Sequence, residues 1–355
     1  MSDQWMLYGA YGYTGKMMVA EAVKRGLKPV LAGRDEQQTS QLATQYDLPY
    51  RVFSLAEPSV VSQQLEGMRL VLHCAGPFSV TAEPMMQACI NSHTHYLDIT
   101  GEIDVFALGH SLDELARHED VVLIPGVGFD VVPTDCLASR LAEQLPAATR
   151  LNLAFEATGG PSPGTAKTSV EGLAKGGRIR KDGELVRVPL AWKSRSIPFP
   201  GGERQAVTIP WGDVYTAFIS TGIPNVQVYL ATPPATIKRL QRMRWLQPLL
   251  GWGPVQTMMK NRVEKSVKGP SGETREATGC QIWGEVLAAD GRSASATMTT
   301  PNGYHLTVIA ALGITEYLLA ETVEGGYYTP SLLMGSDYAE SLPGVAVTMA
   351  DPAEH

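Results

Sequence analysis

A short apolar run, Trp5-Met6-Leu7-Tyr8, breaks on Gly9-Ala10-Tyr11-Gly12-Tyr13-Thr14-Gly15 and is followed by helical periodicity up to Arg25. The pattern reads as a strand, a glycine-rich turn and a helix start. In such a unit the first glycine permits the tight turn and the second lets backbone N–H groups approach a pyrophosphate. The third lets the helix pack on the strand. Met18, Val19, Ala22 and Val23 supply an apolar stripe at helical spacing, and Gly26 is placed to end the helix. The expected ligand is a dinucleotide, held by Gly9, Tyr11, Gly12, Tyr13, Thr14 and Gly15.

The next hundred residues repeat the alternation. Strands are expected at 28–33, 50–54, 69–75, 95–100 and 121–125, with helices near 36–47, 57–66, 80–91 and 103–118. Leu70-Val71-Leu72 and Val121-Val122-Leu123-Ile124 are continuous apolar runs, as parallel strands buried on both faces should be. This predicts a Rossmann-type doubly wound α/β sheet, with ligands at the carboxyl ends of its strands. At 355 residues the chain exceeds one typical core, so a second domain is expected.

Gly33 closes the second strand where an acid would hydrogen-bond a ribose 2′-hydroxyl, and Arg34 follows it, which suits a 2′-phosphate. NADP is therefore favoured over NAD. Asp35, 20 residues after Gly15, stands where an acid could meet the ribose, but it is equally well placed to cap the following helix. In Cys74-Ala75-Gly76-Pro77-Phe78, Ala75 and Gly76 are expected to border the cofactor. On the fifth strand, alternation puts Tyr96, Asp98 and Thr100 on one face. Tyr96 is read as facing substrate and Asp98 as anchoring the loop. Asp130, in Val121–Asp135, is the better candidate of the two aspartates there for meeting a substrate. Thr165 opens a helix behind the glycine loop Gly164-Thr165-Ala166-Lys167, where N–H groups can face an anion or carbonyl oxygen.

The motifs GAYGYTG, AGR, CAGPF, HYLDITGE and PGVGFDVVPTD, in this order, resemble the saccharopine dehydrogenase-like NADP-binding family. Within it the chain looks most like the trans-acting enoyl reductase branch. The similarity continues in GTAKTSVEGL, PWGDVYTAFISTGIPNVQVYLA and GGYYTPSLLMG, nearly the whole chain. The resemblance implies an NADPH-dependent oxidoreductase that reduces a C=C bond of an acyl or polyketide-like substrate. Reduction of an imine, as in the broader family, and a non-catalytic NADP-binding redox sensor are the alternatives. It also implies a nucleotide domain of residues 1–130 plus about 302–345, and a substrate or oligomerisation domain of residues 131–301. That second domain would be α+β, on an open mixed sheet. Strands are expected there at 150–158, 214–220, 226–232, 277–289 and 293–299, and a helix at 304–323.

Other classes fit poorly. None of the 13 tyrosines has a lysine four residues later, the pair that short-chain dehydrogenases use as acid. Four scattered cysteines suggest neither a disulfide framework nor a zinc knuckle, and His93 with His95 lacks partners for a metal. A net charge of −7 argues against nucleic-acid binding. No transmembrane run or signal segment is read, so the expected setting is cytoplasmic. One segment departs from the acidic balance: residues 238–268 carry eight cations against one acid, among Trp245, Leu246, Leu249, Leu250, Trp252, Met258 and Met259. It suits the packed and solvated faces of amphipathic helices, a carrier-borne acyl chain or peripheral membrane contact. A homodimer is a further option.

Overall fold

The computed structural model describes residues 4–246, 250–350 and 353–354. The chain divides into two compact units, Met1–Val132 with Leu306–Leu333, and Pro133–His305 with Met334–His355. The segment returning to the first unit thus ends at Leu333, short of the expected 345. The reason is pairing: Ala346–Met349 adds to the second unit's sheet beside Arg292–Pro301.

The first unit is a Rossmann-type sheet. Its elements alternate: β1 (Trp5–Tyr8), α1 (Tyr13–Lys24), β2 (Val30–Gly33), α2 (Glu36–Tyr46), β3 (Tyr50–Val52), α3 (Pro58–Leu65), β4 (Leu70–His73) and α4 (Phe78–Asn91) follow in turn. Then come β5 (His95–Asp98), α5 (Ile103–Ser111), α6 (Asp113–His118) and β6 (Val122–Ile124). All pairings are parallel, in the order β6-β5-β4-β1-β2-β3, and Gly326–Tyr327 adds to the far edge beside β6. The strand order reverses between β1 and β4, the crevice where such sheets take ligands. β1, β2, β4 and β6 are buried throughout, which their apolar runs require.

The second unit is α+β on a ten-stranded mixed sheet. α7 (Val132–Gln144) leads to β7 (Ala148–Ala157), α8 (Pro163–Lys175), β8 (Gly177–Lys181), β9 (Glu184–Val188), β10 (Ser194–Phe199) and β11 (Gly202–Ile209). α9 (Asp213–Thr221), β12 (Asn225–Ala231), α10 (Pro234–Met243), α11 (Gly253–Ser266), α12 (Gly272–Ala277), β13 (Gly279–Ala288) and β14 (Arg292–Pro301) follow. β7 and β12 run parallel, whereas β13 pairs antiparallel with both β7 and β14.

The strand expected at 214–220 is instead helix α9. Val214-Tyr215-Thr216-Ala217-Phe218 is rich in strand-forming residues, but Asp213, Val214, Thr216 and Ala217 are the buried positions, a helical spacing. Gly222 closes the helix in the left-handed region at φ 71. The helix Gly303–Ala320 is long and apolar enough to cross a membrane, but 56 % of it is buried inside the fold.

Candidate active site

In the first unit the glycine turn is built by backbone contact. Gly9 has φ 81, and an ideal Cβ on it would stand 2.8 Å from the Ala75 nitrogen, so the ends of β1 and β4 touch only because Gly9 has no side chain. The Gly9 N–H donates to the Ala32 carbonyl at 2.8 Å and the Cys74 N–H to the Tyr8 carbonyl at 2.8 Å. A Cβ on Gly15 would lie 2.3 Å from the Gly9 carbonyl oxygen, which brings α1 against the turn. Gly12 is looser, with 3.1 Å to the same oxygen.

The helices at this edge differ at their N-termini. The Asp35 carboxylate caps α2, accepting the Gln38 N–H at 2.9 Å. Glu102 caps α4 from a distance in sequence, accepting the Phe78 and Ser79 N–H groups at 3.0 Å each. α1 begins after Gly12 with no side-chain cap and no acid in its first turn. Its dipole therefore points at the glycine turn without a carboxylate of its own to neutralise it. Glycines that admit backbone approach and an uncapped helix start fit a pyrophosphate.

Arg34 is exposed at the end of β2. A side chain on the neighbouring Gly33 would require the Tyr11 ring to shift, because its Cβ would stand 2.4 Å from Tyr11 Cε1. Tyr11 is thus a packing partner of Gly33, while Tyr13 and Thr14 form the first turn of α1 and are partly buried. Ala75 is the residue pressed on Gly9, and Gly76 lies exposed beyond it.

Tyr96 does not face an opening. It is fully buried, and its hydroxyl donates to Asp98 Oδ2 at 2.6 Å. Burial, reinforced by the Asp98 charge, raises its pKa well above the ordinary phenol value. The expectation of a substrate-facing Tyr96 is corrected: strand alternation set its face, but α4 covers that face. Asp98, also fully buried, accepts the Thr100 and Gly126 N–H groups at 2.9 Å each and so ties the loops after β5 and β6 together. Burial pushes it up to about 7.

Asp130 is brought to the loop after β5. It is partly buried against Gly101, where a Cβ would come within 2.7 Å of its Oδ2. Burial, then the Glu102 charge, pushes it up to about 7. Thr165 belongs to the second unit. There Ser162 caps α8 by accepting the Thr165 N–H at 3.2 Å, and the Thr165 hydroxyl lies 3.3 Å from that of Tyr304.

Three residues here escaped sequence reasoning. Glu102 sits in a quoted motif, but its partners are 24 and 23 residues away. Tyr304 is 139 residues from Thr165. His73 ends β4 fully buried between the rings of Tyr8 and Phe78, at 5.4 and 5.3 Å, and neither ring nitrogen meets a hydrogen-bond partner. Burial lowers its pKa to about 3, so the imidazole is neutral near pH 7. The only signal for it was a histidine closing an apolar strand.

Residues 5–123 match the family described as saccharopine dehydrogenase NADP binding domain. The saccharopine dehydrogenase-like oxidoreductase of Rattus norvegicus is 24% identical over 204 residues, 50% of this chain and 48% of that protein. The trans-acting enoyl reductase of Mycobacterium ulcerans is 26% identical over 140 residues, 37% of this chain and 33% of that protein. The chain thus spans about half, or less, of the length of these curated relatives. Among solved structures, the apo histidine-tagged saccharopine dehydrogenase (L-Glu forming) from Saccharomyces cerevisiae aligns with a TM-score of 0.67 at 11% identity. It covers 98% of this chain and 100% of that one, a likeness of fold. Over residues 5–123, the chain is similar to the saccharopine dehydrogenase NADP binding domain, a likeness that covers about a third of its length.

Proposed function

We propose that this chain is an NADPH-dependent oxidoreductase of a cytoplasmic setting that reduces a C=C bond in an acyl or polyketide-like substrate. The observation that carries the cofactor reading is the contrast among helix starts: α2 and α4 are closed by Asp35 and Glu102, while α1 opens uncapped on the glycine turn. The name of the mycobacterial relative supports the enoyl substrate.

Bound NADPH would supply the hydride. Gly9, Gly12 and Gly15 would admit the pyrophosphate, with Tyr13 and Thr14 opening α1 beside them, and Tyr11 would border the cofactor from its place against Gly33. Arg34 pairs with the 2′-phosphate, the feature that favours NADP over NAD. Ala75 and Gly76 border the cofactor past the strand-order reversal. Asp130, pushed up to about 7, keeps a protonated fraction at neutral pH and is the proposed acid for the alkene carbon that does not receive the hydride. Within the second unit taken by itself, Thr165, in its hydroxyl cluster with Ser162 and Tyr304, is a proposed donor to a carbonyl oxygen.

The test is loss of NADPH absorbance on a panel of enoyl thioesters and cyclic imines, beside direct NADPH titration of the native chain and Gly12→Val. Turnover of enoyl thioesters and weakened binding by Gly12→Val are expected. Turnover confined to imines overturns the substrate. Tight NADPH binding with no turnover on either class overturns the enzyme in favour of a sensor, and unchanged binding in Gly12→Val overturns the cofactor site.

A further inference from the structure

Residues 238–268 hold a net charge of +7 in a chain whose formal net charge is −7. In the second unit this segment separates into an anchored side and an exposed side. Ile237 and Leu240 of α10 pack with Leu190, Ala191 and Val207, while Lys238, Arg239 and Arg242 point to solvent. The Arg244 guanidinium is fixed by the carbonyls of Leu190 and Ala191 at 2.7 and 2.6 Å. The residue after it, Trp245, is 90% exposed.

α11 is arranged the same way. Gln256 donates to the Val170 carbonyl and Lys260 pairs with Glu171, both on α8, so this side of the helix is committed to the fold. On the other side Met258 is 63% exposed and shares a depression with Arg262 and Lys265, and Trp252, just ahead of the helix, is 60% exposed. Trp245 likewise shares a depression with Lys175 and Arg187. Large apolar side chains thus stand in water, Met258 and Trp245 among cations, while buried positions of the same segment are already filled.

We propose that this face docks the protein on an anionic lipid bilayer. Tryptophan rings are suited to the headgroup level, having an apolar body and a polar N–H. Lysines and arginines beside them are drawn to anionic lipid, and they orient an otherwise acidic molecule that such a surface would repel. Separate apolar tips at Trp245 and at Trp252 with Met258 fit the plane of a bilayer better than a protein partner, which would need a packed apolar centre. α11 braces α8, whose N-terminus bears Thr165, so the Met258 part of the docked face and that hydroxyl belong to one packed pair of helices. Leu249 lies outside the described residues, and the proposal does not use it. It is independent of the reading of the reaction.

The test is flotation of the full chain with vesicles of phosphatidylcholine alone or mixed with phosphatidylglycerol. The expected result is flotation only with the mixed vesicles, reversed by salt. Trp245→Ala with Trp252→Ala, and separately Lys238→Glu with Arg242→Glu, should each lower the bound fraction roughly tenfold with an unchanged melting temperature. Flotation equal on neutral vesicles, no flotation on either, or flotation indifferent to both double variants overturns the proposal. So does capture by an acyl carrier protein bearing a phosphopantetheine arm in the absence of flotation.

Discussion

The ring of Tyr11 occupies the space where a side chain at Gly33 would begin, 2.4 Å from an ideal Cβ. An acidic residue closing β2 would therefore have to displace the Tyr11 ring, and the residue that follows Gly33 is the exposed Arg34. Arg34→Ala is expected to weaken NADPH about tenfold, one charge-assisted contact, while leaving NADH nearly unchanged. Titration of both nucleotides by fluorescence checks this. Gly33→Asp alone should lower stability without improving NADH binding, since Tyr11 must move first.

The three glycines of the turn should separate under substitution to alanine. At Gly9 the φ of 81 and the Ala75 nitrogen oppose a Cβ, and at Gly15 the opposing atom is a backbone carbonyl that cannot swing away. Each should cost about 2 kcal/mol or more in urea unfolding. Gly12→Ala meets the same carbonyl only at 3.1 Å and should fold nearly as well as the native chain while binding NADPH more weakly.

What was legible in the sequence follows the range of the interactions. The β1–α1 turn could be read because Gly12 and Gly15 contact residues within the same few positions, and the parallel sheet because strands buried on both faces are uniformly apolar. The Asp35 cap was an open alternative for the same reason, being three residues from its partner. The Glu102 cap on α4, the Tyr11 ring over Gly33 and the hydroxyl pair Thr165 and Tyr304 depend on distant segments meeting, which no local pattern encodes. At 214–220, local propensity pointed to a strand and tertiary burial made a helix. For Tyr96, the strand periodicity gave the face correctly but carried no information on whether a helix covered it.

Tyr96→Phe distinguishes an anchoring from a catalytic tyrosine. The variant leaves Asp98 its two backbone donors and removes the phenol, so a loss of about 1 to 2 kcal/mol in stability is expected. NADPH affinity and the turnover of any accepted substrate should stay within about twofold. A hundredfold fall in turnover with unaltered stability would restore Tyr96 as an acid.

His73 should register in the acid limb of stability. Its pKa falls from 6.5 to about 3 on folding, so the unfolded chain binds a proton that the folded one refuses. Stability is present above pH 6.5 and is lost as pH falls toward 3. His73→Leu deletes two unpartnered buried nitrogens and should flatten this limb, as followed by urea midpoints at pH 4, 5 and 7. His95, also lowered by burial, keeps its contribution in the variant.

Asp130 works in the opposite sense. Its carboxyl rises from 3.8 to about 7 on folding, so between those values the folded chain holds a proton the unfolded chain has released. The stabilisation is complete below about pH 4 and is lost as pH rises to 7, with Asp98 adding a second group of the same sign. Asp130→Asn removes one of the two. Its melting temperature should match the native chain at pH 4 and exceed it at pH 8, where the native carboxylate is charged, partly buried and close to Glu102. An Asn variant that melts lower at pH 8 would mean that the charged form is paired in the fold, and Asp130 could not then hold a proton near neutrality. With an accepted substrate, the same variant should lose the alkaline fall in kcat that titration of this group imposes.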